Sequence, residues 1–333
     1  MGEPDTLVPM RRLALFALAA LVVAAPAAAQ QVFEQVGSRA LGMAGAFVAV
    51  ADDATAVYWN PAGLATGGPA GMTIGWLRFR TGDQARPPIP NAAGATTSTF
   101  TSLGTWPIGV SYGRFQNSFL TSRAAGAVQA DTLTVSDVGV TILQSVTEGV
   151  VIGSTLKYLR GFADSQLVTS PTAAQALDTA LATKGDNQSR FDFDLGLMVD
   201  MQKVRVGLTV KNMREPAFRN QAGTAITLKR QARVGLAVFP TDGLTLAMDL
   251  DLDTVDLPGG LRRMIAFGGE HRLGSRVMAR GGVRWNLKGE RLPVAAVGAS
   301  LALRAKRLWL DAHLTRGDIR ADRGMGFALR AGF

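Results

Sequence analysis

The chain has 333 residues, 35 Lys and Arg against 26 Asp and Glu, 38 Gly, 14 Pro, no Cys and 47% hydrophobic residues. Without cysteine, neither disulfides nor thiolate metal sites can hold it together. The formal charge is +9, and the Arg and Lys are mostly scattered singly rather than gathered in a long basic run or helix. That distribution argues against nucleic acid and points to anionic lipid headgroups as partners.

Residues 1–29 read as a signal peptide. Arg11 and Arg12 form a basic start, 13–25 is an apolar run, and Ala27-Ala28-Ala29 offers a small-residue cleavage site before Gln30. The run is shorter than the roughly 20 residues a spanning helix needs. No later stretch of 18 or more apolar residues occurs, so a helical membrane protein is not expected. Export to the cell outer membrane after leader cleavage is.

Residues 30–70 form a second region, expected to be a plug or hatch. Gly37, Gly42 and Gly45 precede an Ala-rich apolar stretch, then Asp52-Asp53, then Tyr58-Trp59-Asn60-Pro61-Ala62-Gly63. Small residues at Gly42 and Gly45 permit close packing inside a lumen. Asp52 and Asp53 suit pairing with lumen arginines or capping a helix over 54–57. Pro61 pushes Asn60 away from helical dihedrals, so a helix should end there.

From residue 71 to 333, alternation with a period of two dominates. In 244–253, Leu244, Leu246, Met248, Leu250 and Leu252 share one face, and Thr245, Ala247, Asp249, Asp251 and Asp253 share the other. Segments 190–200 and 276–285 repeat the pattern. The predicted strands are 71–80, 97–103, 108–116, 131–145, 150–163, 190–201, 203–213, 229–239, 244–254, 261–272, 276–287, 291–303, 307–316 and 323–333, which makes 14. Tight turns alternate with longer connections, 288–290 being the exception. Short turns on one rim, long loops on the other and an even strand count predict an all-β fold, a transmembrane antiparallel β-barrel of about 14 strands. Apolar positions should face lipid, and charges should face a hydrated lumen.

The lumen charges fall into an acidic set (Asp192, Asp194, Asp200, Asp249, Asp251, Asp253) and a basic set (Arg205, Arg233, Arg262, Arg272, Arg276, Arg280, Arg284). A salt-bridged interior is the simpler reading. The sharper one makes Arg276, Arg280 and Arg284 candidate contacts for an anionic ligand head. His271 and His313 are too far apart in sequence to suggest a metal site. One G-x-S-x-G match, residues 109–113, falls inside a predicted strand rather than on a nucleophile turn. Neither catalysis nor a cofactor is expected.

The segment 37–65, with its Gly-rich start, Ala-Asp-Asp-Ala and Asn-Pro-Ala before the first strand, resembles the N-terminal segment of the FadL-type outer-membrane transporters of hydrophobic compounds. It is equally similar to the related PorV-type barrels associated with protein secretion. The FadL resemblance implies a hatch inside a 14-stranded barrel and passive uptake of hydrophobic small molecules such as long-chain fatty acids. Capture would occur at the outer rim, with passage through an apolar cavity when the plug shifts. The PorV resemblance implies a barrel for secretion or surface attachment, with a secreted protein as partner. The final alternation, Met325, Phe327, Leu329, Ala331 and Phe333, resembles the signal read by the barrel-assembly machinery. Phe333→Asp, or deletion of Phe333, should therefore lower the yield of heat-modifiable, protease-resistant barrel in outer membranes; normal accumulation would remove that role.

Overall fold

The computed structural model describes residues 32–82, 93–122, 128–168, 172–257, 260–289, 291–304, 307–318 and 322–333. The leader reading of 1–29 lies outside them. Fourteen strands close into one antiparallel barrel. In chain order these are β1 (Ala70–Thr81), β2 (Gly94–Thr105), β3 (Ile108–Ser122), β4 (Val128–Thr147), β5 (Val150–Val168), β6 (Gln188–Asp200), β7 (Val204–Lys211), β10 (Gln231–Thr241), β11 (Leu244–Asp251), β14 (Met264–Leu273), β15 (Val277–Asn286), β16 (Val294–Arg304), β17 (Leu308–Gly317) and β18 (Arg323–Gly332). Closure is made by β1 on β18, in register from Gly71↔Gly332 to Arg80↔Arg323. Two short hairpins, β8–β9 (Ala217–Arg219, Ala225–Thr227) and β12–β13 (Val255–Leu257, Gly260–Arg262), lie in the long connections.

Each predicted strand corresponds to one barrel strand. Boundaries moved where strands outrun the membrane. Residues 117–130, expected as a long loop, instead extend β3 to Ser122 and begin β4 at Val128. β4 has 20 residues. At about 3.3 Å per residue it is much longer than the roughly 25 Å apolar band requires even when tilted. Its outward positions change accordingly: Val138, Val140 and Ile142 are exposed and apolar, whereas Thr132 and Thr134 above them are polar and buried. What buries this upper outer wall is the connection after β5. Its helix Ala173–Leu181, with Thr172 as N-cap, lies on the outside of the barrel. Ala173, Ala176, Leu177 and Ala180 pack with Ala95, Leu120, Val128 and Ala130, positions on the outward parity of β2, β3 and β4. Gln116 Nε2 donates to Leu181 O at 3.3 Å.

The alternation translates into facing as physics requires. In hydrocarbon each backbone polar group must be paired inside the protein, so the sheet closes on itself. Its outer residues can then be apolar: Ile74, Leu246, Val297, Leu310, Met325 and Phe327 are all exposed. No helix among the described residues is long and apolar enough to cross a membrane; the strands do so.

One expectation about the interior is corrected. The lumen beside β11 is packed rather than hydrated, since Ala247 is buried in the same cluster as Phe47 and Val48. A facing test on this strand must therefore avoid Ala247, where an inserted side chain would overpack the core. Met248→Arg on the lipid face should cost about 2–4 kcal/mol near the midplane, and the half-buried inward Thr245→Arg, opposite Glu270, clearly less. Reversible refolding measures both; equal losses would contradict the facing.

Candidate functional site: the segment inside the barrel

Residues 32–66 sit within the lumen and contribute most of the main core cluster, and Gly67, Gly68 and Pro69 are exposed on the way to β1. The chain descends through a five-residue helix, Ser38–Gly42, turns at Gly45 with φ +88°, and reaches a second helical turn, Ala56–Trp59. Asn60 is extended, at φ −159° and ψ 103°, and Pro61 then opens a 3-10 helix, Pro61–Thr66, before β1. Asn60 serves three backbones at once. Its Nδ2 donates to Val48 O and to Leu197 O of β6, both at 3.0 Å, and its Oδ1 accepts from Ala62 N at 3.2 Å. Trp59 Nε1 donates to Val36 O at 3.0 Å, and Tyr58 Oη to Phe33 O at 2.9 Å. The aromatic rings of Phe33, Phe47, Tyr58 and Trp59 pack on one another with centroids 5.4–6.3 Å apart.

Buried ion pairs join this segment to the wall. Arg39 grips Glu270 of β14 in two-toothed fashion, Nε to Oε2 at 3.0 Å and Nη2 to Oε1 at 2.9 Å. Its Nη1 also meets Asp52, and Asp53 at 3.1 Å. Asp52 and Asp53 thus pair with an arginine of the segment itself, not with a lumen arginine of the wall. Asp53 further accepts from Thr55 N at 2.9 Å, but the helix Ala56–Trp59 has no side-chain cap. A second knot forms at Glu34, which accepts from Arg233 Nη2 at 2.6 Å and Arg262 Nη2 at 2.7 Å. Burial works to raise the Glu34 carboxyl, but the guanidiniums of Arg233, Arg262 and Arg284 outweigh it and hold it well below the usual carboxylate range. A third contact is backbone to side chain: Asp249 Oδ2 accepts from Phe47 N at 3.0 Å and Val48 N at 2.9 Å.

The wall leaves room for the segment by presenting glycine where the two backbones meet. A Cβ on Gly196 would fall 2.3 Å from Asn60 Oδ1, and one on Gly268 2.4 Å from Met43 O. Gly153, Gly207, Gly282 and Gly298 lie similarly against Pro61–Ala62, Val48, Met43 and Gly42. Gly42 contacts the Gly298 backbone, and Gly45 turns beside Glu34 and Trp59.

The candidate ligand arginines are placed differently from one another. Arg276 is a correction: it lies in the exposed turn between β14 and β15, because β15 begins only at Val277. Arg272 is likewise exposed at the end of β14, and Asp253 and Arg262 both sit in the connection between β11 and β14 rather than on barrel strands. Arg280 and Arg284 do point inward, but both are engaged. Arg280 meets Glu270, Ser300 and Asp311; Arg284 Nη2 meets Asp322 at 2.9 Å. Phe333 follows β18, is exposed, and donates its N–H to Ala70 O at 3.0 Å. The sequence reading does not single out Arg39, Glu34, Glu270 or Lys157. An arginine isolated among Gly and Ala in an otherwise apolar run was the available signal for Arg39.

Toward the long-connection rim, Lys157 Nζ pairs with Asp192 at 2.9 Å and Asp194 at 2.6 Å. Lys211 Nζ stands 2.9 Å from the centroid of the Tyr58 ring. Between Tyr58 and Leu228 lies a cavity of about 20 Å³, room for a single water. Hairpin β8–β9 covers it, with Phe218 and Ile226 buried against the inward Leu133, Val135, Leu159 and Ala163. At the short-turn rim, two clefts of about 290 and 140 Å³ flank the 3-10 helix Pro61–Thr66; Trp106 and Met198 line one, Trp309 and Arg330 the other.

Residues 78–251, more than half the chain, match the family model described as "F plasmid transfer operon, TraF, protein". The chain belongs to that family. No curated protein matches it. Among solved structures it is similar to the CymD monoaromatic hydrocarbon channel, at 14% identity and TM-score 0.64, covering 90% of this chain and 98% of that one. It is also similar to a Pseudomonas aeruginosa FadL homologue, at 11% identity and TM-score 0.62, covering 92% and 99%. The Pseudomonas putida toluene transporter TodX aligns at 10% identity and TM-score 0.57, covering 92% and 98%. The barrel of this TraF-family chain therefore has the FadL-type fold; of these structural neighbours, CymD is named as a channel and TodX as a transporter.

Removing one partner of a buried ion pair strands the other charge, at a cost of about 3–5 kcal/mol. Arg39→Ala should accordingly loosen the segment and expose 32–69 to protease while the barrel stays folded. Adding Glu270→Ala should restore part of the protection. Unchanged proteolysis in Arg39→Ala would show that the pair does not hold the segment.

Proposed function

We propose that the protein is a passive outer-membrane channel for hydrophobic small molecules, with residues 32–69 as its movable plug and residues 1–29 as a cleaved export leader. The observation that carries this reading is how the lumen segment is held. It shares no strand ladder with the wall; it is docked by side-chain ion pairs, single hydrogen bonds and glycine contacts. Such contacts can break together without opening the barrel, whose ladders do not involve the segment. The FadL-type fold supports the same reading, since CymD, TodX and the FadL homologue are named for hydrophobic-compound channels or their relatives. In the docked state the cavity beneath hairpin β8–β9 admits no hydrophobic ligand, so passage requires the plug to shift, and the clefts beside Pro61–Thr66 give it somewhere to move. Long-chain fatty acids are the proposed cargo class, with monoaromatic hydrocarbons the nearest alternative.

A second reading makes the barrel a component of a secretion or transfer apparatus of the PorV type, with a protein partner. The description of the family as a plasmid-transfer protein favours it, as does a lumen occupied by the chain's own polypeptide.

The absence of native cysteine allows a clean test. A Cβ built on Gly104 of β2 lies 3.6 Å from Ala54 Cα, which puts cysteines placed at these two positions within the separations that a disulfide spans. In proteoliposomes, the oxidised Ala54→Cys, Gly104→Cys protein should block uptake of a fluorescent fatty acid and of toluene, and reduction should restore it. Uptake that persists through a verified cross-link would rule out a moving plug. Absence of flux in both redox states and in the unmodified protein, together with capture of a secreted protein, would favour the second reading.

A further inference from the structure

Strands β1, β18 and β17 carry an arginine row on their lipid side. Arg80 of β1 is in register with Arg323 of β18, and Arg323 is in register with Arg316 of β17. All three occupy the outward parity. Arg80 alternates with Ile74 and Trp76, Arg323 with Met325 and Phe327, and Arg316 with Leu314 and Leu310. Like charges directly opposite one another on a sheet face are destabilising. A row of three on adjacent strands therefore calls for an anion between them. Asp178, on the helix that lies outside the barrel, supplies one carboxylate at one end, 2.8 Å from Arg80 and 2.6 Å from Arg78. Arg316 and Arg323 are exposed, and among the described residues no carboxylate lies within ion-pair distance of either.

The surface below the row fixes the chemistry of the missing anion. Immediately toward the membrane, Trp76 and Phe327 pack with centroids 5.3 Å apart, and Met325, Leu314 and Leu310 are exposed beside them. The patch is thus amphipathic along one axis, with guanidiniums at the rim of the long connections and aliphatic and aromatic groups beneath. A small soluble anion would use only the upper half. A phosphorylated lipid uses both: its phosphates bridge guanidiniums, which bind phosphate through paired N–H donors, and its acyl chains lie on the aromatic patch. In an outer-membrane barrel the rim with long connections faces outward, where the leaflet lipid is a phosphorylated glycolipid.

We infer that the outer face of β1, β18 and β17 is a binding site for the phosphates of an outer-leaflet glycolipid of the lipid A type, held by Arg316 and Arg323 with Arg80 at the row's far end. This rests on the outer-membrane part of the proposed function but not on transport. Failure of the uptake experiment would leave it standing, and its own failure would leave uptake untouched.

The test uses the full barrel in phosphatidylcholine nanodiscs doped with bisphosphorylated lipid A, read by native mass spectrometry of retained lipid. The unmodified protein should retain lipid A about tenfold better than Arg316→Gln, Arg323→Gln, the change expected for losing paired charge-assisted contacts. It should also retain bisphosphorylated lipid A better than the monophosphoryl form, an arm that needs no variant and so survives any folding defect in the double substitution. Inorganic phosphate at millimolar concentration should not displace the lipid. Equal retention of the two lipid forms by the unmodified protein, or equal retention by the correctly folded double variant, would overturn the site. Displacement by free phosphate would overturn the lipid as its occupant.

Discussion

The constraint on which this structure depends is that a backbone crossing hydrocarbon must satisfy its own hydrogen bonds. A sheet meets it only by closing, and closure is made by β1 against β18. Closure then creates an inside. With fourteen strands, that inside is too wide for wall side chains alone to fill, so something else must occupy it or it fills with water. Here the chain's own residues 32–66 occupy it, and most of the unusual chemistry follows from burying that segment.

A segment inside a barrel cannot join the ladder, because the wall strands have already paired with their neighbours. Its attachment has to come from side chains and from close approach. The wall answers with inward charge, such as Glu270, Asp249 and Arg233, and with absent side chains, such as Gly196 and Gly268. The two devices complement each other. Glycine brings the backbones together, and the charges left buried at such a contact must find partners, which explains why Glu34 and Arg39 each meet more than one opposite charge. Such attachment is strong while intact and lacks the gradual peeling of a strand, as the proposed movable plug requires.

The outer surface obeys a different rule. Within the membrane band it is apolar, and above that band the long strands β3, β4 and β5 would expose sheet to water. The helix Ala173–Leu181 folds down over them, and Asp178 ties it to the arginines of β1. The same arginines begin the row assigned to lipid phosphate, so the extramembrane helix and the leaflet headgroups meet along one line around the barrel.

The sequence by itself determined the barrel. Alternation with a period of two is a local property, and in a membrane it dictates closure, facing and strand number, which is why all fourteen strands were legible in segments such as 244–253. It also marked 37–65 as a distinct element and Asn60-Pro61 as a break, because proline restricts its neighbour wherever it stands. What only the tertiary structure decided is pairing across the lumen. Nothing local distinguishes Arg280, bound to Glu270, from Arg276, which the start of β15 leaves in a turn. The role of Arg39 depends on a carboxylate 231 residues away, and the wall glycines acquire their purpose only when a second backbone lies against them. Likewise, Arg80, Arg316 and Arg323 are scattered in sequence and become one row only through strand register, because a closed sheet sets side by side residues that the chain keeps far apart.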